Sequence, residues 1–206
     1  YGIKPMQDVH EDMTLEPLTD YSRFKAECEG ILLEYQSPKF TPVIVRPATV
    51  CGYSPRQRFD VVVNILTNVA YWKREMTVFG GDQLRPNIHI NDLVEVFLLM
   101  LEAPRGKIAG EIFNAGYENQ TIRNLAKIVR HVIGDDVTIL FESTDDNRSY
   151  HISSKKIHNQ LGFIATQTIR DAVLDLQCAL EGNRYNNPLT NEKYFNIKRM
   201  QSIKLS

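Results

Sequence analysis

Among 206 residues there are three cysteines, Cys28, Cys51 and Cys178, with no CxxC pair. That excludes a disulfide framework and a zinc cluster, and a reducing cytoplasm is the expected compartment. None of the 11 glycines falls into GxGxxG or GxxGxxG. These residues therefore do not supply the glycine-rich turn that cradles a dinucleotide pyrophosphate at a helix amino terminus. The longest strongly apolar run, Val94 to Leu101, contains a glutamate and is far short of the ~20 residues that span a bilayer, so no membrane segment is expected. Neither sign of charge is in excess: 24 Lys and Arg stand against 25 Asp and Glu. Without a positive field to meet a phosphate backbone, nucleic acid is not an expected partner. No internal repeat or low-complexity tract occurs. The chain opens on Tyr1-Gly2-Ile3-Lys4, without Met or a basic or apolar leader, so the reading expects no signal peptide and an upstream segment before Tyr1.

What is present is globular: 43% apolar and 24% charged residues, in a chain long enough for one large domain or a domain and a half at ~150 residues each. The first twenty residues, with five acids and two prolines, read as a loop. Phe24, Cys28, Ile31, Leu32 and Tyr35 recur at helical spacing, which predicts a helix over about 21–36 with Asp20 as its cap and Cys28 packed on its apolar face. Strands are predicted at 41–45, 76–79, 88–90, 111–114 and 137–141. Helices are predicted at 60–73, 92–102 with Asn91 as cap, 121–133 closed by Gly134, 153–161 and 168–180, followed by a weakly patterned basic tail. His89 fits a residue that fixes the turn before the 92–102 helix, and Asp92 one that orients that segment. Strands alternating with helices at this spacing predict an α/β fold with a mostly parallel sheet.

Tyr21 and Lys25 lie four residues apart at the start of the first helix, hence on one face. An ammonium beside a phenol favours the phenolate, which can take a proton from a sugar hydroxyl during hydride transfer. By itself YxxxK recurs in many proteins, and the pair also fits a surface Lys beside a capping Tyr.

Further landmarks follow in order: Arg46-Pro47-Ala48-Thr49-Val50-Cys51-Gly52, then Phe79-Gly80-Gly81-Asp82-Gln83-Leu84-Arg85 with Ile88-His89-Ile90-Asn91-Asp92. Phe113-Asn114-Ala115-Gly116 with Thr121 comes next, and Asp145 to Tyr150 with Lys156-Ile157 and Leu161-Gly162-Phe163 closes the series. Together with Tyr1-Gly2 some twenty residues before Tyr21, they resemble the extended short-chain dehydrogenase/reductase family, specifically its NAD-dependent nucleotide-sugar epimerases and dehydratases. The resemblance implies a doubly wound Rossmann-like parallel sheet, here incomplete, with a smaller α/β substrate-binding lobe. Residues 1–52 and 86–114 would belong to the former, 53–85 and 115–206 to the latter. It implies Tyr21 as catalytic acid/base and Lys25 as its partner on the nicotinamide ribose, with Pro47 approaching the nicotinamide. Thr49, Thr77, Phe79, Arg85 and Arg148 would contact the substrate, with Arg56, Arg58 and Asn64 as further candidates in a variable segment.

The implied cofactor is NAD, with NADP possible, and the implied substrate a nucleotide-activated sugar. A homodimer through the YxxxK helix is implied, and no metal. The chain would then be the carboxyl-terminal two thirds of a longer enzyme, lacking about 120 residues of the first Rossmann half. Epimerisation is the first reading. Dehydration, an inactive fragment or non-catalytic sugar-nucleotide-binding remnant, and an NADPH-dependent sugar-ketone reductase stay open. The sequence departs from the family pattern at Phe24, usually a small residue, at Cys51, usually Tyr, and in a Gly80 loop one residue short.

Overall fold

The computed structural model describes residues 1–4, 8–145 and 149–204. Its elements run α1 (Asp20–Glu34), β1 (Ile44–Pro47), β2 (Thr49–Cys51), α2 (Val62–Lys73), β3 (Glu75–Phe79), β4 (Leu84–His89), α3 (Ile90–Glu102) and α4 (Arg105–Ile108). They continue with β5 (Ile112–Ala115), β6 (Glu118–Thr121), α5 (Ile122–Ile133), β7 (Thr138–Glu142), α6 (Lys155–Leu161), α7 (Ile169–Glu181), a 3₁₀ turn (Glu192–Tyr194) and α8 (Asn196–Ser202). The class is α/β. Among the described residues β1 pairs with β5, β2 with β4 and β3 with β7, all parallel, while β6 joins β4 antiparallel. The pairings form sheets of two, three and two strands, too small to be a complete doubly wound sheet.

Two principal cores account for the packing. In one, α2, α5 and α7 press Val63, Leu66, Leu125, Val129, Ala172 and Val173 against Met76 and Val78 of β3. The stripe on α5, Leu125, Ala126, Val129 and Ile133, follows the helical period, with Arg123, Lys127 and Arg130 off it. In the other core, Leu93, Val96 and Met100 of α3 cover Ile88, Phe113 and Ala115, joined by Ile157 of α6. A third cluster, Phe59, Leu176, Leu180 and Tyr194, binds the basic tail to the body. That tail therefore folds, contrary to the weak pattern read in it, because Tyr194 finds an aromatic partner 5.4 Å away in Phe59, distant in sequence.

Several boundaries differ from the sequence reading. The strand expected at 41–45 is Ile44–Pro47, since Pro42 has no N–H for a ladder and pairing begins where Ile44 N–H donates to Glu111 O at 2.9 Å. Helix α1 is capped by Thr19 and not Asp20: Thr19 Oγ1 accepts from Ser22 N–H while Ser22 Oγ accepts from Thr19 N–H. Helix α3 is capped by His89 and not Asn91; its Nδ1 accepts the Asn91 N–H at 3.1 Å. This is the turn-fixing role read for His89. Asp92 is buried and accepts from Thr166 N–H, Thr166 Oγ1 and Gln167 N–H, so it ties α3 to the distant 166–167 segment and does not cap its own helix.

Helix α1 has no buried residue, and Phe24, Ile31 and Tyr35 are exposed. Cys28 is exposed as well, because the face on which it was expected to pack covers nothing among the described residues. The outer face of α3 is also bare, with Val94, Phe97, Leu98 and Leu101 in solvent. None of the described helices is long and apolar enough to cross a membrane.

Candidate functional site

The Thr19 cap starts α1 so that Tyr21 and Lys25, one turn apart, open on the same side. Both line a cavity of about 310 Å³, whose opposite wall is the end of β1, Arg46 to Ala48. Pro47 stands at the carboxyl end of that strand, opposite Ala115 of β5. In parallel α/β sheets the carboxyl ends of strands are where ligand crevices form.

In the wall of this cavity lies a half-buried polar network, with Tyr1, Glu29, Arg46 and Asn114 among its lining residues, that the sequence does not mark. Arg46 forks onto Glu29 of α1, with Nε 3.0 and 3.1 Å from the two carboxylate oxygens and Nη2 2.6 Å from one of them. Its Nη1 donates to the Tyr1 hydroxyl at 2.7 Å and to Glu11 O. The Tyr1 hydroxyl donates to Asn114 Oδ1 at 2.6 Å, and the Asn114 N–H reaches the buried Glu11 carboxylate at 2.7 Å. Burial pushes the Tyr1 phenol above its ordinary pKa, against the pull of Arg46. It stays neutral and can accept from Arg46 while donating to Asn114. Burial opposes the charge on Arg46, but the bonds to Glu29 and Tyr1 outweigh it, and its pKa is raised. Helix α1 has no fully buried residue, and the Glu29–Arg46 fork ties it to the end of β1. Arg46 is thus a positioning residue for the helix that carries Tyr21 and Lys25. The signal in the sequence was its place before Pro47; its partner Glu29 carried none.

A second cavity, of about 520 Å³, is lined by Thr49, Thr77, Phe79 and Arg85 together with Asp60 and residues of α2. Four residues singled out from the sequence thus converge, although they come from β2, β3 and β4. The two cavities share one lining residue, Tyr150. This tyrosine lies in the segment matched by motif, but nothing in its local pattern marks a residue that faces two cavities. Close packing holds this segment: a Cβ on Gly116 would lie 2.7 Å from Ile152, and Ile152 N–H donates to Asn119 Oδ1.

The remaining candidates lie elsewhere. Arg148 falls outside the described residues. Asn64 is buried, its amide engaged at both ends: Oδ1 accepts the Gly52 N–H at 3.2 Å and Nδ2 donates to Arg58 O at 2.9 Å. It holds the turn after β2, where Gly52 adopts φ +106 and a Cβ would crowd His89. Arg58 pairs with Asp60 at 2.8 Å. Burial raises the Asp60 carboxyl, but Arg58 and the Asn196 N–H outweigh it and leave its pKa below the ordinary value. Arg56 points into a different cavity, shared with Tyr53 and Tyr185. Cys51 is buried, with Sγ 3.4 Å from Ile88 O, and burial pushes its thiol up to about 12. The described residues contain no group of His, Cys, Asp or Glu arranged to hold a metal ion.

The model for the NAD dependent epimerase/dehydratase family matches residues 1–116. UDP-D-apiose/UDP-D-xylose synthase 1 of Arabidopsis thaliana is 33% identical over 85 residues, which are 40% of this chain and 21% of that protein. A putative UDP-arabinose 4-epimerase 2 of the same plant is 22% identical over 191 residues, 82% of this chain and 46% of the relative. Among solved structures, UDP-glucuronic acid 4-epimerase from Bacillus cereus, in complex with UDP-glucuronic acid and NAD, superposes with a TM-score of 0.78 at 25% identity. The match covers 89% of this chain and 59% of that one. The dTDP-glucose 4,6-dehydratase from Streptomyces venezuelae superposes with a TM-score of 0.77 at 21% identity, covering 92% and 59%. The chain therefore spans less than half the length of these curated relatives and about three fifths of these structures.

Proposed function

Because the chain belongs to the NAD-dependent epimerase/dehydratase family, we propose that it carries the acid/base pair and the sugar-nucleotide cavity of an NAD-using nucleotide-sugar epimerase. The observation that carries this reading is the meeting, at Tyr150, of the cavity lined by Tyr21, Lys25 and Pro47 with that lined by Thr49, Thr77, Phe79 and Arg85. A ligand laid across the junction would place its sugar near Tyr21 and its diphosphate near Arg85, whose planar fork suits a phosphate. Arg148 is assigned to the same diphosphate by motif alone.

The first cavity fits the nicotinamide end of NAD: it is flanked by a Tyr and a Lys one turn apart and by the backbone of Pro47 at a strand end. When bound, the nicotinamide supplies the two-electron acceptor for a sugar carbon. Tyr21 takes the proton of the hydroxyl on that carbon and returns one when the ketone is reduced. Lys25 holds the ribose beside Tyr21. Glu29 and Arg46 keep both in register with Pro47. The glycine-rich pyrophosphate turn is not among these residues, so binding of the sugar nucleotide without redox chemistry is the second reading for the chain by itself. Residues 1–52 and 86–114 form the cofactor side in this account, and 53–85 and 115–206 the sugar-nucleotide side. The bare apolar residues Phe24 and Ile31 of α1, with Tyr35 at its carboxyl end, support a homodimer through that helix.

Titration with UDP- and dTDP-sugars by calorimetry tests the proposal. Binding should survive Tyr21→Phe and weaken about tenfold in Arg85→Ala, as for loss of a charged hydrogen bond to phosphate. Absence of binding by every nucleotide sugar, or binding indifferent to Arg85→Ala, would reject it.

A further inference from the structure

A third cavity, of about 250 Å³, opens between the loop after β2 and the folded tail. It is lined by Arg56, Arg184, Lys193 and Arg199 and by the rings of Tyr53 and Tyr185. The whole chain has a net charge of -1, yet residues 184–204 hold five bases against Glu192 alone. Glu192 pairs with Arg199 at 2.7 Å. Among the described residues no carboxylate lies within ion-pair distance of Arg56, Arg184 or Lys193. Arg56 donates to Asn196 Oδ1 at 3.4 Å, a neutral partner. The Arg184 guanidinium lies 5.0 Å from the centroid of the Tyr53 ring, and the Lys193 ammonium 4.7 Å from that of Tyr194. Aromatic faces restrain these cations without neutralising them.

The walls are fixed in advance. The Tyr185 hydroxyl donates to Oε1 of the buried Gln57 at 2.8 Å, and the same oxygen accepts the Ser54 N–H at 3.0 Å. Phe59 N–H donates to Tyr194 O at 2.8 Å, and the Phe59 ring packs edge-on against Tyr185 at 5.0 Å. Three unneutralised cations on a preformed concave surface therefore face a space large enough for a small polyanion.

We propose that this cavity is a second ligand site, separate from the junction at Tyr150, for a phosphate-type polyanion held by Arg56, Arg184 and Lys193. A singly charged carboxylate would leave most of these donors unmet, whereas a pyrophosphate presents oxygens to both guanidinium forks and the ammonium.

The test is titration of the full chain with inorganic pyrophosphate, phosphate, a sugar phosphate and acetate, followed through the arginine Nε–H signals by NMR. Pyrophosphate should shift the Arg56 and Arg184 signals saturably and bind more tightly than phosphate, while acetate should leave them in place. Arg184→Ala should weaken pyrophosphate about tenfold, with Lys193→Ala as the second variant if the first unfolds. Arg85→Ala, in the other cavity, should change nothing at this site. A sugar phosphate binding more tightly than phosphate would identify a phosphorylated metabolite as the ligand, and equal binding an inorganic anion. Shifts confined to Arg85, equal response to acetate, or affinity unchanged by both Arg184→Ala and Lys193→Ala would overturn the proposal.

Discussion

Glu29→Ala should loosen the helix that carries Tyr21 and Lys25. The Glu29 and Arg46 side chains are only 20% and 14% exposed, and no residue of α1 is fully buried. Breaking a fully buried pair costs about 3–5 kcal/mol, which is an upper bound for this half-buried one. Arg46 keeps its bonds to Tyr1 and Glu11 O, so the residual charge is partly satisfied and about 2–3 kcal/mol is the better expectation. For a chain of 206 residues, at about 2–4 °C per kcal/mol, Tm should fall by roughly 4–12 °C. Glu29→Gln keeps an acceptor of the same shape and should lose about half as much. Thermal unfolding by circular dichroism reads the global effect, and amide exchange within Asp20–Glu34 the local one. Ala at the exposed neighbour Glu27 is the control. If Glu29→Ala melts within about 2 °C of the parent and α1 exchanges no faster, the fork does not hold the helix and the positioning role of Arg46 is wrong.

Asp92→Ala should be similarly costly, because two backbone N–H groups and the Thr166 hydroxyl lose their acceptor. About 2–5 kcal/mol is expected by urea unfolding, and a loss under about 0.5 kcal/mol would show that the 166–167 segment finds other partners. Thiol labelling should modify the exposed Cys28 and Cys178 in the native protein at neutral pH and leave Cys51 unmodified until the chain unfolds. Burial holds the Cys51 thiol protonated up to about 12 and blocks access, and the thiolate is the reactive form. Native labelling of Cys51 at the rate of the other two would contradict its burial.

The elements legible in the sequence were those whose apolar residues repeat with their own period. Helix α5 is an example: its stripe and the closing Gly134 follow one another within a dozen or so residues, while Thr121, expected as the first helical residue, is its cap. Strands β2 and β6 were not legible. Thr49–Cys51 is three residues long, and Glu118–Thr121 has no apolar alternation. Each exists because β4 offers hydrogen-bonding edges on both sides, a non-local fact. The cap of α3 was misplaced because an imidazole Nδ1 accepts the hydrogen bond usually given to a hydroxyl or carboxylate. At the candidate site, the motifs marked Tyr21, Lys25, Pro47, Thr49 and Arg85, and the fold gathers them into two adjoining cavities. Tyr150, Glu29 and Asn114 were not legible as site residues, since their parts depend on contacts across more than fifteen positions of chain.

The central claim, that Tyr21 moves the proton during redox at a nucleotide sugar, is tested most directly by comparing Tyr21→Phe with the parent in the whole protein. Nicotinamide reduction and sugar-nucleotide turnover would be followed alongside binding. Tyr21 is 76% exposed, so its replacement should leave stability and sugar-nucleotide affinity unchanged. Turnover should fall by about 10²–10⁴, the range of a lost general acid/base. Undiminished turnover with Phe at this position would contradict the account.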